Sequence, residues 1–207
     1  MKLHYFETIN GRKACAAAKH LAAPVTFVRV NIAKNEHTTP AYLALNPNGR
    51  IPVLETETGT VWESNAIMAH LARQMGSDLF PTDDRLVELV RWLSWSSEHF
   101  TRYASRLYFE NLVKAKFKLG GPDAALVEDA KGYIRKYGAV LNDHLKSRRF
   151  VLGDTLTITD FALGACLPYA DDAKIPLDGF TAIARWADRL DALPAWRDPY
   201  PATQAAA

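Results

Sequence analysis

The sequence predicts an α/β first part followed by an all-α second part. Three observations carry that reading. Residues 1–77 mix strand-like and helix-like patterns, residues 78–82 belong to a stretch of turn-forming chemistry, and every later segment places apolar residues at helical spacing. The expected division is therefore an α/β domain over 1–77, a linker over 78–82 and a helical domain over 83–207.

The elements follow in order. Lys2–Phe6 alternates Leu3 and Tyr5 against Lys2 and His4, which is a short strand. Asn10-Gly11 breaks it, and the alanine-rich Arg12–Leu21 reads as a helix ended near Ala23-Pro24. Thr26–Asn31 is a second strand with Val28 and Val30 on one face. After a long connection, Val53–Glu55 and Thr60–Trp62 flank Thr56-Glu57-Thr58-Gly59 as a hairpin, and Ser64 opens a helix carrying Ile67, Met68, Leu71 and Met75. The order is β-α-β then β-β-α, with the first two strands parallel across a right-handed crossover.

Gly76–Thr82 is the linker region, and beyond it Asp83 or Asp84 can cap a long helix with Leu86, Leu89, Val90, Leu93, Phe100, Ala104 and Leu107 as its stripe. Gly120-Gly121-Pro122 stops it. A second helix bears Leu126, Ala130, Tyr133, Ile134, Tyr137 and Leu141. Thr157 and Asp160 have capping-box spacing before the apolar run Phe161–Leu167, Thr181–Leu190 is a last helix, and Pro199–Ala207 reads as a loose tail.

Composition narrows the function. Of the 207 residues, 48% are apolar and 23% charged, an ordinary soluble mixture that excludes disorder over most of the chain. The longest apolar stretches, such as Phe161–Ala170, are too short to span a membrane. A net charge of +2 is too small to make nucleic acid the main partner. Lys146, Arg148 and Arg149 form the one tight basic cluster, which reads as a solvated helix end favoured by the helix dipole. Cys15 and Cys166 make no CxxC and no ligand pattern with the six histidines, so buried thiols are expected and a metal is not. The first residues show no signal peptide, and with two unpaired cysteines this points to the cytoplasm.

Four local motifs, in order, resemble the glutathione transferases over about residues 2–200. Asn46-Pro47-Asn48-Gly49-Arg50-Ile51-Pro52-Val53-Leu54 is similar to that family's entry into its third strand. Glu63-Ser64-Asn65-Ala66-Ile67 is similar to its glutamyl-binding turn, and Thr157–Asp160 to the capping motif of its C-terminal domain. Thr8-Ile9-Asn10-Gly11-Arg12-Lys13 lies where the family keeps its thiol-activating residue, and Thr8-Ile9-Asn10 resembles the Thr-x-Asn signature of the Nu class.

The resemblance implies a thioredoxin-like βαβ-ββα domain and an all-helical domain carrying the second-substrate site. It implies glutathione as co-substrate, held as thiolate to attack an electrophilic small molecule, in a cytosolic homodimer without a metal. Glutathione-dependent reduction of a disulfide or peroxide, and a non-catalytic glutathione-binding or regulatory role, are the alternatives. For the sulfur, the resemblance offers the Thr8 hydroxyl with the Asn10 amide, and Tyr5 as the competing donor; Thr8 and Asn10 are also loop-forming and capping types, and Tyr5 is also a strand-core residue. It implies a cis Ile51-Pro52 bond whose bend presents the Ile51 backbone to the cysteinyl group. Glu63 and Ser64 would take the γ-glutamyl end, where Ser64 is equally a helix start, and Asn48, Arg50, Thr38 and Thr39 are available for the glycyl end. For the second substrate it points between the domains, to Phe100, Arg102, Tyr103, Arg106, Tyr108 and Phe109, most of which are also helix-packing or surface types. The five tryptophans read as packing residues.

Overall fold

A computed structural model describes residues 1–201. The chain divides into two compact units: Met1–Ser77 together with the segment from Leu193 on, and Asp78–Ala192.

In the first unit, β1 (Lys2–Tyr5) pairs parallel with β2 (Thr26–Arg29) and antiparallel with β3 (Val53–Thr56), which pairs antiparallel with β4 (Gly59–Trp62). The strand order is β2-β1-β3-β4, with the parallel first pair that the sequence predicts. Period-two alternation sends Leu3, Tyr5 and Leu54 to the face covered by α1 (Ile9–His20) and a second helix, Ser64–Gln74. Ala14 and Ala18 of α1 are buried there beside Ile67 and Leu71, and their small side chains let the two helices lie close. Val30 and Val53 go to the opposite face, where they pack with Tyr42.

Tyr42 lies on α2 (Pro40–Leu45), a helix absent from the sequence-based expectation, within the long connection. Thr39 caps it by accepting from Tyr42 N–H, and Pro40 fills the first turn, where its missing N–H is harmless. The helix Ser64–Gln74 is α3. Its predicted stripe is buried at Ile67, Met68 and Leu71, but Met75 follows the last turn and is exposed.

The segment from Leu193, expected within the stretch 83–207, groups with the first unit. It holds α10 (Pro194–Arg197, numbered after the helices of the second unit) and packs on α1. Buried Arg12 donates to the Trp196 carbonyl and lies over its ring, and Lys19 Nζ donates to the carbonyls of Asp198 (2.5 Å) and Tyr200 (3.0 Å). The Tyr200 ring stacks on Tyr5. The expected loose tail is thus docked through Tyr200, and residues 202–207 lie outside the described residues.

The second unit is helical. The expected long helix is a continuous run of three α-segments, α4 (Arg85–Trp95), α5 (Thr101–Tyr108) and α6 (Lys114–Phe117). Single π-turns at Ser96–Phe100 and Phe109–Val113 join them. Each π-turn rotates the following residues relative to the preceding stripe. The expected stripe residue Val90 is more than half exposed, while Leu89, Phe100, Ala104 and Leu107 are buried. Asp83 accepts from the Arg85 N–H at the helix start, whereas Asp84 makes no side-chain cap. In α7 (Ala124–Leu145), Val127 rather than Leu126 is buried, with Ala130, Ile134 and Leu141.

The hub of this unit is Asp160, in α8 (Ile158–Gly164). The predicted capping box is present, with Thr157 as the cap. The carboxylate does more than cap. It is completely buried, and it accepts from Val151 N (2.9 Å), Thr157 N (2.9 Å), Thr157 Oγ1 (3.2 Å) and Trp186 Nε1 (2.9 Å), the last on α9 (Thr181–Asp191). Burial pushes its pKa up to about 6, against the pull of these donors.

Asp160→Ala should cost more than the loss of an N-cap. It leaves the buried donors of Val151, Thr157 and Trp186 unpaired, at about 1–3 kcal/mol for each unsatisfied group, and chemical denaturation should show a loss well above the roughly 0.5–2 kcal/mol of a cap alone. The pH dependence has a definite sign. The folded state binds the Asp160 proton more tightly than the unfolded chain, so this group favours folding below its ordinary value of 3.8, and that contribution is lost as pH rises through about 6. Stability measured against pH in wild type and Asp160→Asn should differ by this component; parallel curves would refute it.

Candidate active site

Strand register brings some of the expected site residues to one edge of the sheet. His4 lies opposite Val53, and Val53 opposite Trp62. One residue further along, the end of β1, the Ile51-Pro52 peptide and Glu63 reach the same edge. α1 and α3 both begin here, each with first-turn N–H groups that have no partner inside the helix.

Thr8 is the N-cap of α1. Its Oγ1 accepts from Gly11 N–H at 3.2 Å, while the distance to the Phe6 carbonyl, 3.5 Å, is at the limit for donation. The accepting side of the hydroxyl is therefore engaged and its proton is held only weakly, which leaves it able to donate to a third group. The cap places the helix start at Ile9, three residues before the expected start at Arg12. Asn10 thus sits in the first turn, exposed, with its Oδ1 accepting from Ser64 Oγ at 3.5 Å. Lys13 Nζ makes a second tie between the helices, to Asn65 Oδ1 at 3.2 Å.

Glu63 has φ 69° and ψ 116°, a combination that side chains rarely adopt. Such a conformation costs of order 1–3 kcal/mol and is held only where the surrounding structure over-determines it. Its side chain does not cap α3, so the first N–H groups of α3 have no side-chain cap, and buried Ser64 opens the helix. Ile51-Pro52 is cis, as the resemblance implies. No hydrogen bond from the Ile51 backbone is made to any described residue.

The remaining candidates have local duties. The Arg50 carbonyl accepts from Tyr42 Oη (2.9 Å) and Asn46 Nδ2 (2.8 Å), while its side chain is exposed. Asn48 donates through its backbone N and its Nδ2 to Asn46 Oδ1, both at 3.0 Å. Thr38 and Thr39 donate to the carbonyls of Asn35 and Glu36, within their own turns. Tyr5 is not brought into the group. It is 5% exposed in the core under α1 and α3, between Phe27 and Tyr200, and burial, reinforced by Glu7, raises its pKa. Cys15 is buried in the same core, which pushes its thiol up.

In the helical unit, Phe100 is buried against Trp95 and is not a lining residue, and Arg102 pairs with Glu98. Tyr103 stacks on Tyr133 at 4.2 Å between centroids, Tyr108 is pushed up to about 12 by burial, and Arg106 is half-buried. Phe109 is exposed, with Lys114 over its ring. Of the tryptophans, Trp92, Trp186 and Trp196 are buried packing residues, whereas Trp62 is exposed on the edge strand.

Three residues matter that sequence reasoning passed over. Buried Asn46 organises the turn before Ile51, a role its Asn-Pro-Asn-Gly context could have signalled. Tyr200 donates to the Thr8 carbonyl at 3.3 Å, a long-range contact with no local signature. Gly11 stands where a Cβ would meet the Phe6 carbonyl oxygen at 2.1 Å. Glycine in the first turn of an alanine-rich helix is the readable trace of that approach.

The sequence matches two family profiles: glutathione S-transferase, N-terminal domain, over residues 1–73, and glutathione S-transferase, C-terminal domain, over residues 124–205. Glutathione S-transferase 3 of Zea mays is 34% identical over 178 residues, which is 83% of this chain and 79% of that protein. Elongation factor 1-gamma 1 of Oryza sativa subsp. japonica is 32% identical over 84% of this chain, but the match spans only 42% of that longer protein. Among solved structures, a possible glutathione S-transferase from Rhodopseudomonas palustris is 30% identical with a TM-score of 0.86, covering 100% of this chain and 92% of its own. A glutathione transferase from Burkholderia graminis, with two glutathione molecules bound per subunit, shares the fold at 22% identity and a TM-score of 0.84, over 99% of this chain and 89% of its own. The chain belongs to the glutathione S-transferase family, with a thioredoxin-like first domain and a helical second domain.

Gly11→Ala should force the Phe6–Gly11 turn apart. Thermal denaturation should register a loss of about 1–3 kcal/mol, the usual cost of overpacking. An unshifted melting temperature would show that the turn relaxes freely.

Proposed function

We propose that the protein is a glutathione transferase that binds glutathione as the thiolate and conjugates it to an electrophilic small molecule. The observation that carries this reading is the Ser64–Asn10 contact, which ties the start of α3 to the start of α1 and sets the first turns of the two helices side by side. Glutathione needs such a pair. Its γ-glutamyl carboxylate suits the N-terminus of α3 and the Ser64 hydroxyl, and its sulfur suits the N-terminus of α1. Glu63 neutralises the glutamyl amine. The Ile51 backbone pairs with the cysteinyl backbone as an added strand. Exposed Arg50, with Asn48 beside it, is the cation for the glycyl carboxylate. Thr38 and Thr39 contribute less, because their hydroxyl protons are engaged within their own turns.

A thiol of pKa ~8.5 is only a few per cent ionised at pH 7. Lowering it by ~2 units takes about 2.7 kcal/mol of preference for the thiolate. The Thr8 hydroxyl, the Asn10 amide and the α1 N-terminus together are sufficient, since a hydrogen bond to a charged group is worth about 1.5–3 kcal/mol. The thiolate attacks the electrophilic carbon, a carbon–sulfur bond forms, and the leaving group departs with the bonding pair. In this reading the protein works as a homodimer, the commonest symmetric assembly of soluble chains. The similarity to an elongation factor subunit favours a second reading, a glutathione-binding module without turnover.

Thr8→Ala should raise the pKa of bound glutathione toward its value in solution, read from the ultraviolet thiolate band. Thr8→Ser should keep most of the effect, Asn10→Ala should lose part of it, and Tyr5→Phe should leave it in place. The opposite ranking, with Tyr5→Phe abolishing the thiolate, would transfer the role to Tyr5. Ser64→Ala should weaken glutathione binding about tenfold or more in calorimetry, as befits a bond to a carboxylate. Tight binding without turnover of an aryl halide, a hydroxyethyl disulfide or a hydroperoxide would select the binding module.

A further inference from the structure

The basic cluster Lys146, Arg148 and Arg149 is not an isolated helix end. The fold brings Arg185 and Arg189 of α9 against it, and together with Ser147 these five cations line a cleft of about 440 Å³. No carboxylate and no apolar side chain is among the lining residues. The chain as a whole carries a net charge of only +2, so this is a strong local excess.

The walls of the cleft are fixed. Asn142 Oδ1 of α7 accepts from Ala182 N (2.9 Å) and Ile183 N (3.3 Å), so α7 itself caps the start of α9. Arg189 Nη1 donates to the Arg149 carbonyl at 3.3 Å, which bridges the two basic segments. Arg148 Nη1 donates to the His144 carbonyl at 2.9 Å, and the Arg149 guanidinium lies over the Phe150 ring. Each arginine that makes one of these bonds retains other N–H donors. Among the described residues, only Lys146 of the lining cations has an acidic partner, Asp143 at 2.7 Å.

The helix dipole accounts for cations at the end of α7 but not for Arg185, in the middle of α9. Arg185 and Arg189 stand four residues apart on one helix face, where like charges work against the helix. An anion seated between the two segments would relieve that repulsion. Guanidinium forks match phosphate oxygens in pairs, and five cations in a polar, open cleft suit several charges in a small volume. An apolar carboxylate would find nothing to pack on.

We propose that this cleft binds clustered phosphate groups, as in a small soluble polyphosphate or an anionic lipid headgroup. The proposal does not depend on the glutathione site. The test uses the full chain in calorimetry with inorganic tripolyphosphate, and in sedimentation with phosphatidylglycerol vesicles. Tripolyphosphate should bind at low salt and weaken about tenfold or more at a few hundred millimolar salt, where screening is short-ranged. The double variant Arg149→Ala/Arg185→Ala should reduce binding at least tenfold and leave glutathione turnover unchanged. A control with the same charge loss elsewhere, Arg73→Ala/Arg91→Ala, should retain binding. Binding of tripolyphosphate assigns a soluble ligand, and vesicle binding alone, lost in the same double variant, assigns a headgroup. Absence of both, or equal losses in the two double variants, would overturn the site.

Discussion

Much of the first unit depends on one constraint, the pairing register of β1, β3 and β4. Because β3 runs antiparallel to both neighbours, the end of β1, the start of β3 and the end of β4 fall at one edge. Both helices that follow from this edge must start there, and a helix start leaves its N–H groups without partners. The edge is therefore rich in donors before any side chain is considered. A slip of one residue in β3 would exchange its buried and outward faces and move Ile51 away from Glu63.

The second unit is organised differently, around one buried carboxylate. Asp160 joins its own helix start, the Val151 loop and Trp186 of α9 at a single point. Directional bonds at this point select one arrangement of three segments that apolar packing alone would hold less specifically. The two units thus illustrate two routes to order: strand register in the first, a saturated polar hub in the second.

Local rules made much of this legible in the sequence. Strand alternation at Leu3 and Tyr5 gave the sheet faces, and the Thr157–Asp160 spacing gave the capping box. Where two local rules compete, the sequence is ambiguous. Asn10-Gly11 looked like a break, but Thr8 caps earlier and carries Asn10 into the helix. Thr39-Pro40 is a good helix start, and it was obscured by the short, mostly exposed α2 that follows. The π-turns were invisible because they alter spacing without altering composition. Long-range partners such as Trp186 for Asp160, Tyr200 for Thr8 and Arg189 for Arg149 have no local trace, since only the folded chain brings them together.

The docking of Trp196 and Tyr200 onto α1 also bears on how the protein is made. The first unit is assembled from two separate segments, with the helical unit inserted between them in sequence. Its sheet and helices are synthesised early, but Arg12 and Lys19 find their carbonyl partners 184 and 181 residues further along the chain. A nascent chain lacking its last segment exposes part of α1 and leaves the Thr8 turn without its Tyr200 contact. Completion of the donor-rich edge therefore waits for the segment around Tyr200 to be synthesised, although nearly all the residues that form it lie within residues 1–69.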